Sequence, residues 1–182
     1  KRLNDCFKLH RQIVTNHFSD IIMSMVEIHN SVAKVYEENK ETLEIFECLD
    51  EFSDTQNFCD HYGFDIEDSC NAILIKAKKP EEFYAMFCVL GANRLDVNHK
   101  AKEAMGAKRV SFASREEAEA VTGQIYGGIS PLGLPENIKV YMDKNVTDRE
   151  KLFIGAGNRV SKFFLSPETL IQLSSATVLD LT

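Results

Sequence analysis

No stretch of this chain approaches the roughly 18 consecutive apolar residues that a membrane-spanning helix needs, so a soluble protein with no membrane partner is expected. A basic excess is also missing: 21 Lys and Arg stand against 28 Asp and Glu, a formal charge of −7. Nucleic-acid binders draw most of their affinity from neutralising phosphates, so this balance argues against a long nucleic-acid footprint. A short RNA end held by a local basic patch stays compatible with it. There is no HExxH and no Cys/His cluster, and His10, His17, His29, His61 and His99 show no ligand spacing, so no metal or other cofactor is expected. The GxSxG elbow of a Ser-His-Asp hydrolase does not occur. Cysteine pairs of the CxxC type are absent too. The odd set Cys6, Cys48, Cys59, Cys70 and Cys88 reads as reduced core thiols of a cytoplasmic protein. A catalytic cysteine needs a base and an electropositive setting that no local pattern supplies. Finally, neither glycine nor proline occurs before Gly63, which suits long helices in that part of the chain.

What is present is ordinary globular material: 44% hydrophobic and 27% charged residues, in a length that suits one domain or one domain with an extension. Apolar residues over 1–42 recur at spacings of three, four and seven, from Phe7 through Val14, Phe18, Ile21 and Met25 to Val35. An N-terminal helical extension over 1–42 is expected, packed on a core or on a partner chain. A second unit, 43–182, opens with the alternating strand pattern Leu43–Cys48. Ser53-Asp54-Thr55-Gln56 predicts a capped helix closed by Gly63. Residues 70–77 and 83–90 predict a hairpin of buried strands. Asp96 predicts the start of a short helix ending before Gly106, and 109–113 a strand. Ser114-Arg115-Glu116-Glu117 is a second capping box, for a helix that Gly123 ends. Further strands are expected at 138–142, 151–154, 160–165 and 176–179, with a helix starting at Ser166-Pro167. Short strands among short helices, without a regular βαβ rhythm, predict an α+β fold with a mixed, curled, barrel-like sheet and surrounding helices.

The densest signal is residues 122–135, which hold four of the nine glycines and two of the four prolines. Glycine lets a ligand approach the backbone and proline fixes the chain around it, so such a loop can aim N–H groups at an anion or a carbonyl oxygen. Composition alone favours a tight structural turn. The order, Thr122-Gly123 and then Gly127-Gly128-Ile129-Ser130-Pro131-Leu132-Gly133, resembles the signature loop of the YbaK/prolyl-tRNA-synthetase-associated editing domains. Its neighbours agree in sequence and spacing: Leu95-Asp96-Val97-Asn98, the stretch Lys108 to Ser114, Val140-Tyr141-Met142-Asp143, Gly155-Ala156-Gly157-Asn158-Arg159, and Leu165-Ser166-Pro167-Glu168. The resemblance covers about residues 44–182 and leaves 1–42 outside it.

It implies a YbaK-like fold and a trans-acting, metal-free aminoacyl-tRNA deacylase. Such an enzyme hydrolyses the ester between a wrongly attached amino acid and the terminal adenosine, with water or the adjacent ribose hydroxyl taking part. Backbone donors of the glycine loop would orient the ester and stabilise its oxyanion; Gly127, Gly128, Ile129, Ser130 and Pro131 would line the site, Ser130 as a backbone or hydroxyl contact, with Asp143 offering a polar contact. One departure stands out: many family members carry a lysine where this chain has Asn71. Asn71 can orient a ribose or carbonyl but brings no charge, and Lys76 falls on the opposite face of a regular strand. Arg94, Lys100, Lys102, Lys108 and Arg109 could meet acceptor-end phosphates, with Asn98 and His99 near a ribose or base. A solvated helix face explains that charge run equally well. Cys70, Ala72, Phe112 and Tyr126 are expected at the pocket border, although as core residues they need no functional explanation. The partners implied are the acceptor end of an aminoacyl-tRNA and a synthetase. Two other readings stay open. One is a non-catalytic homologue that binds an aminoacyl-tRNA end, an aminoacyl-adenylate or an amino acid. The other is a module docked to a synthetase through 1–42.

Overall fold

The computed structural model describes residues 28–182; the helical reading of 1–27 lies outside them. The first described helix, α1 (Asn30–Glu38), begins on His29, whose Nδ1 accepts the Ser31 N–H. Its Val32 is fully buried and Tyr36 stacks on Phe163 with ring centroids 5.8 Å apart. This part of the expected N-terminal extension is therefore packed on the core.

Eight strands follow among the described residues: β1 (Glu44–Glu47), β2 (Cys70–Lys79), β3 (Phe83–Leu90), β4 (Arg109–Phe112), β5 (Lys139–Asp143), β6 (Leu152–Gly155), β7 (Ser161–Leu165) and β8 (Thr177–Leu179). They build a five-stranded sheet in the order β4-β2-β3-β5-β8 and a three-stranded sheet in the order β1-β7-β6. The first is mixed, since β4, β2 and β3 run antiparallel while β3, β5 and β8 run parallel. An isolated bridge between Ser69 and Phe153 links the two sheets. The helices α2 (Thr55–Tyr62), α3 (Lys102–Ala104), α4 (Arg115–Thr122) and α5 (Pro167–Ser174) complete the α+β fold.

Side-chain alternation assigns the layers. On β2, Cys70, Ala72 and Leu74 face the main core, where they meet Met86, Leu132, Ile154 and Phe163. Ile73, Ile75 and Ala77 face the other side, against Phe87, Leu95 and Met105. On β7, Phe163 points into the main core and Phe164 into a third cluster with Phe46, Phe58, Phe64 and Phe153 under α2. The three-stranded sheet is thus buried on both faces.

The local signals mostly hold. Gly63 and Gly123 close α2 and α4 in left-handed geometry, and Ser114 and Glu117 form a reciprocal capping box. Ser166 caps α5 with Pro167 in its first turn. Three expectations change. The cap of α2 is Asp54, whose side chain accepts the Gln56 N–H, while the Ser53 hydroxyl is buried with no partner among the described residues. The strand β2 runs on to Lys79 because its pairing with β4 continues past a bulge at 77–79. The segment after Asp96 opens as a π-helical turn, Val97–Ala101, before α3.

Candidate functional site

A cavity of about 400 Å³ opens at the seam between the two sheets. The start of β2 supplies Cys70, Asn71 and Ala72, the end of β4 supplies Phe112, and α4 supplies Ala118. Asp54 and Thr55 come from the start of α2, Gly155 from the end of β6 and Lys162 from β7. The glycine loop closes it with Tyr126, Gly127, Gly128 and Ile129. The loop is held from both sides. Gly127 has φ +86°, and a Cβ on Gly128 would lie 1.7 Å from the Asn158 carbonyl oxygen. On the other side, a Cβ on Gly155 would lie 2.4 Å from the carbonyl oxygens of Gly128 and Ile129. These backbones touch, so side chains are excluded for steric reasons.

Internal hydrogen bonds decide which loop donors remain. The Gly128 N–H donates to the Ile125 carbonyl at 3.0 Å, and the Gly128 carbonyl accepts from Gly157 at 2.8 Å. Ser130 is fully buried: its N–H donates to Gln124 Oε1 at 2.6 Å and its hydroxyl accepts the Leu132 N–H. Among the described residues the amides of Gly127 and Ile129 have no such partner. On the opposite wall Thr55 donates its hydroxyl proton to Asn71 Oδ1 at 3.0 Å, which orients the amide and leaves Nδ2 as a donor. Lys162 Nζ donates to the Ser53 carbonyl at 2.7 Å. Burial pushes this lysine below the ordinary range, against the pull of Cys48 and Asp54. The Cys70 thiol is bonded to Cys88 and buried, and both effects push it well above its usual value. It is protonated at neutral pH and is not a nucleophile. The cavity is therefore lined by residues with unpartnered donors and by a buried lysine, which suits an oxygen-rich, acceptor-bearing group.

Of the residues expected from sequence, Asn71, Tyr126, Gly127, Gly128 and Ile129 meet in this cavity, together with Cys70, Ala72 and Phe112. Ser130 lies behind the loop, and Pro131 faces a separate groove beside Val35 and Leu173. Asp143 is fully buried, capping the turn after β5 through Asn145 and accepting the Leu181 N–H at 2.8 Å. Arg94 and Asn98 are exposed and do not line the cavity. His99 pairs with Asp96, and Lys100 with Asp180. Lys76 pairs with Glu117 at 2.7 Å and Glu82 at 2.9 Å, away from the cavity. Sequence reasoning missed Lys162 and Thr55. A lysine inside the buried run Ser161–Leu165 was the available signal for the first. A larger cleft of about 740 Å³ between α2 and residues 148–151 carries Asp60, Asp65, Asp68, Asp148 and Glu150 together with Arg149 and Lys151, and Arg149 is paired with Asp68 at 2.7 Å.

A loop of touching glycine backbones thus closes a cavity between the two sheets of a small α+β fold. Residues 50–173 match the family model of the aminoacyl-tRNA editing domain, and the chain belongs to that family. EbsC of Enterococcus faecalis, a candidate Cys-tRNA(Pro)/Cys-tRNA(Cys) deacylase, is 30% identical over 92 residues, 50% of this chain and 56% of that protein. A proline–tRNA ligase of Nautilia profundicola is 33% identical over 106 residues, 57% of this chain and 18% of the ligase. The chain thus spans about half of the first relative and less than a fifth of the second. A solved structure of a candidate trans-editing enzyme for prolyl-tRNA synthetase superposes with a TM-score of 0.72 at 22% identity, covering 86% of this chain and 99% of the other, and shows the shared fold.

Proposed function

We propose that this chain is a trans-acting aminoacyl-tRNA deacylase of the cytoplasm that works without a metal ion on the acceptor end of a mischarged tRNA. The observation that carries the reading is that Asn71 lines one cavity with Gly127 and Ile129, whose amides have no partner among the described residues, with family membership pointing to the substrate class. An aminoacyl ester is already activated, so orientation and oxyanion stabilisation suffice. The loop amides hold the carbonyl oxygen while water adds to the carbonyl carbon. The bond from that carbon to the ribose oxygen then breaks, and the proton lost by the water ends on the ribose oxygen. The products are the free amino acid and a tRNA with its terminal hydroxyl restored. At the mouth the rings of Phe112 and Tyr126 are exposed, and Arg115 lies 5.3 Å from the Tyr126 centroid. Such rings offer the terminal adenine a stacking surface.

The test is release of amino acids from a broad panel of aminoacyl-tRNAs, with Gly128→Ala as the comparison. The new Cβ displaces the loop from Asn158, and loss of aligned donors is expected to lower the rate about 100-fold. Equal rates for both proteins across the panel would leave the binding module as the reading to pursue.

A further inference from the structure

We propose that Lys162 supplies the positive charge of this site, its ammonium donating to the oxygen that becomes negative when the ester carbonyl is attacked. The identity of that oxygen rests on the deacylase reading; the placement of the lysine does not. Lys162 sits on β7 between Ser161 and Phe163, both fully buried, and is itself 5% exposed. Its Nζ has one acceptor among the described residues, the Ser53 carbonyl, and lies 5.7 Å from the Phe58 ring centroid. No carboxylate forms an ion pair with it among the described residues. An ammonium has three N–H groups, and burying one with two of them unfilled is costly unless an acceptor arrives.

The residue lines the same cavity as Gly127 and Ile129, so an oxygen held by the loop can also accept a hydrogen bond from Nζ. A backbone phosphate fits this position less well, because a nearly enclosed lysine cannot reach a solvated strand. The surroundings pull on this charge in both directions, with burial the strongest influence and opposed to it. Asp54, from the start of α2, and the thiols of Cys48 and Cys59 favour the protonated form, while Arg159 and burial oppose it. The strand β2 brings Asn71 to this wall and no cation, and Lys76 is held by its two glutamates. The charge that a transition-state oxyanion needs is therefore present, on a different strand.

The experiment compares wild type with Lys162→Met and Lys162→Gln. The first keeps the packing volume of the stem, and replacing a buried charge by an apolar group is commonly neutral or stabilising. Thermal melting checks that both variants fold. Two probes are titrated by calorimetry: the 3′-aminomethylphosphonate ester of adenosine, which carries a negative tetrahedral centre and no amino-acid side chain, and the corresponding neutral carboxamide. We expect the phosphonate to bind Lys162→Met about 100-fold more weakly than wild type, with the carboxamide changed less than about fivefold. Lys162→Gln should fall between them. The wild-type advantage should shrink as rising pH removes the Lys162 proton. In parallel, aminoacyl-tRNA turnover should show a kcat loss of about 100-fold with KM little changed. Equal phosphonate affinity in wild type and Lys162→Met overturns the proposal, as does wild type that fails to bind the phosphonate. Turnover retained in Lys162→Met overturns it while leaving the deacylase reading intact. Lys162-dependent phosphonate binding without any turnover does the reverse.

Discussion

Asn71 shows how little a side chain's identity says without its neighbour. Thr55, sixteen residues earlier and at the first turn of α2, donates to Asn71 Oδ1 and so fixes which end of the amide faces the cavity. Without that donor the amide can flip and present an acceptor where the substrate also brings an acceptor. Thr55→Val removes the hydroxyl at nearly constant volume. The loss of one orienting hydrogen bond corresponds to about a tenfold fall in kcat/KM, and Thr55→Ser should restore most of it. Lys76→Met is the control: it breaks the pairs with Glu117 and Glu82 but touches nothing in the cavity. Its kcat/KM in the same deacylation assay should stay within about twofold. A Thr55→Val enzyme as fast as wild type would mean that Asn71 is positioned by the strand alone. The same residue-by-residue logic separates Gly128 from its neighbours. Its amide is spent on Ile125 and its place against Asn158 leaves no room for a side chain, whereas the Gly127 and Ile129 amides have no partner among the described residues.

Among the elements, α4 ties the loop to the sheet. It begins in the reciprocal cap of Ser114 and Glu117, ends at Gly123 where the loop starts, and its Glu119 accepts the Tyr126 N–H at 3.0 Å. Glu117 also accepts a hydrogen bond from the Lys76 ammonium, which holds its carboxyl below the usual range. Ser114→Ala should destabilise the fold by about 1 kcal/mol, read as a lower urea midpoint with an unchanged slope. An unchanged midpoint would show that tertiary contacts alone hold the helix start. That capping box could be read directly from the sequence, because four adjacent residues carry all of its chemistry. The cap of α2 falls one residue later than the Ser53-to-Gln56 pattern indicates: both Ser and Asp are favoured cap types, and Asp54 takes the position while the Ser53 carbonyl accepts from Lys162. The hairpin β2-β3 was visible as two buried runs around a polar turn. The parallel pairing of β3 with β5 and of β5 with β8 was not, since those contacts join segments far apart in the chain. For the site, the glycine loop and Asn71 stood out by pattern. Lys162 did not, because a strand buried on both faces has no polar face on which a lysine would announce a role.

For the molecule as a whole, the thiols set an alkaline limit on stability. Cys59 is pushed up by burial to about 11 from its usual 9.0, Cys48 is raised by burial, and Cys70 is raised by its bond to Cys88 and by burial. Above pH 9.0 the unfolded chain sheds thiol protons that the folded chain keeps. Fewer protons are then bound to the unfolded state, so stability falls as pH rises. For Cys59 the loss runs from 9.0 to about 11 and ends once the folded thiol also ionises. Lys162 acts in the opposite sense. Burial lowers it from 10.5, so as pH approaches 10.5 the unfolded chain holds the extra proton and the contribution rises until the unfolded lysine also loses it. Three thiols oppose one lysine, and the net expectation is a melting temperature that declines between pH 9.0 and about 11. In Cys59→Ala the whole curve should start lower because of the cavity left behind, yet decline less steeply. Lys162→Met should decline more steeply than wild type, since it lacks the compensating group. Parallel curves for all three proteins would mean that Cys59 and Lys162 each ionise alike in the folded and unfolded chain, leaving Cys48 and Cys70 as the source of any shared decline.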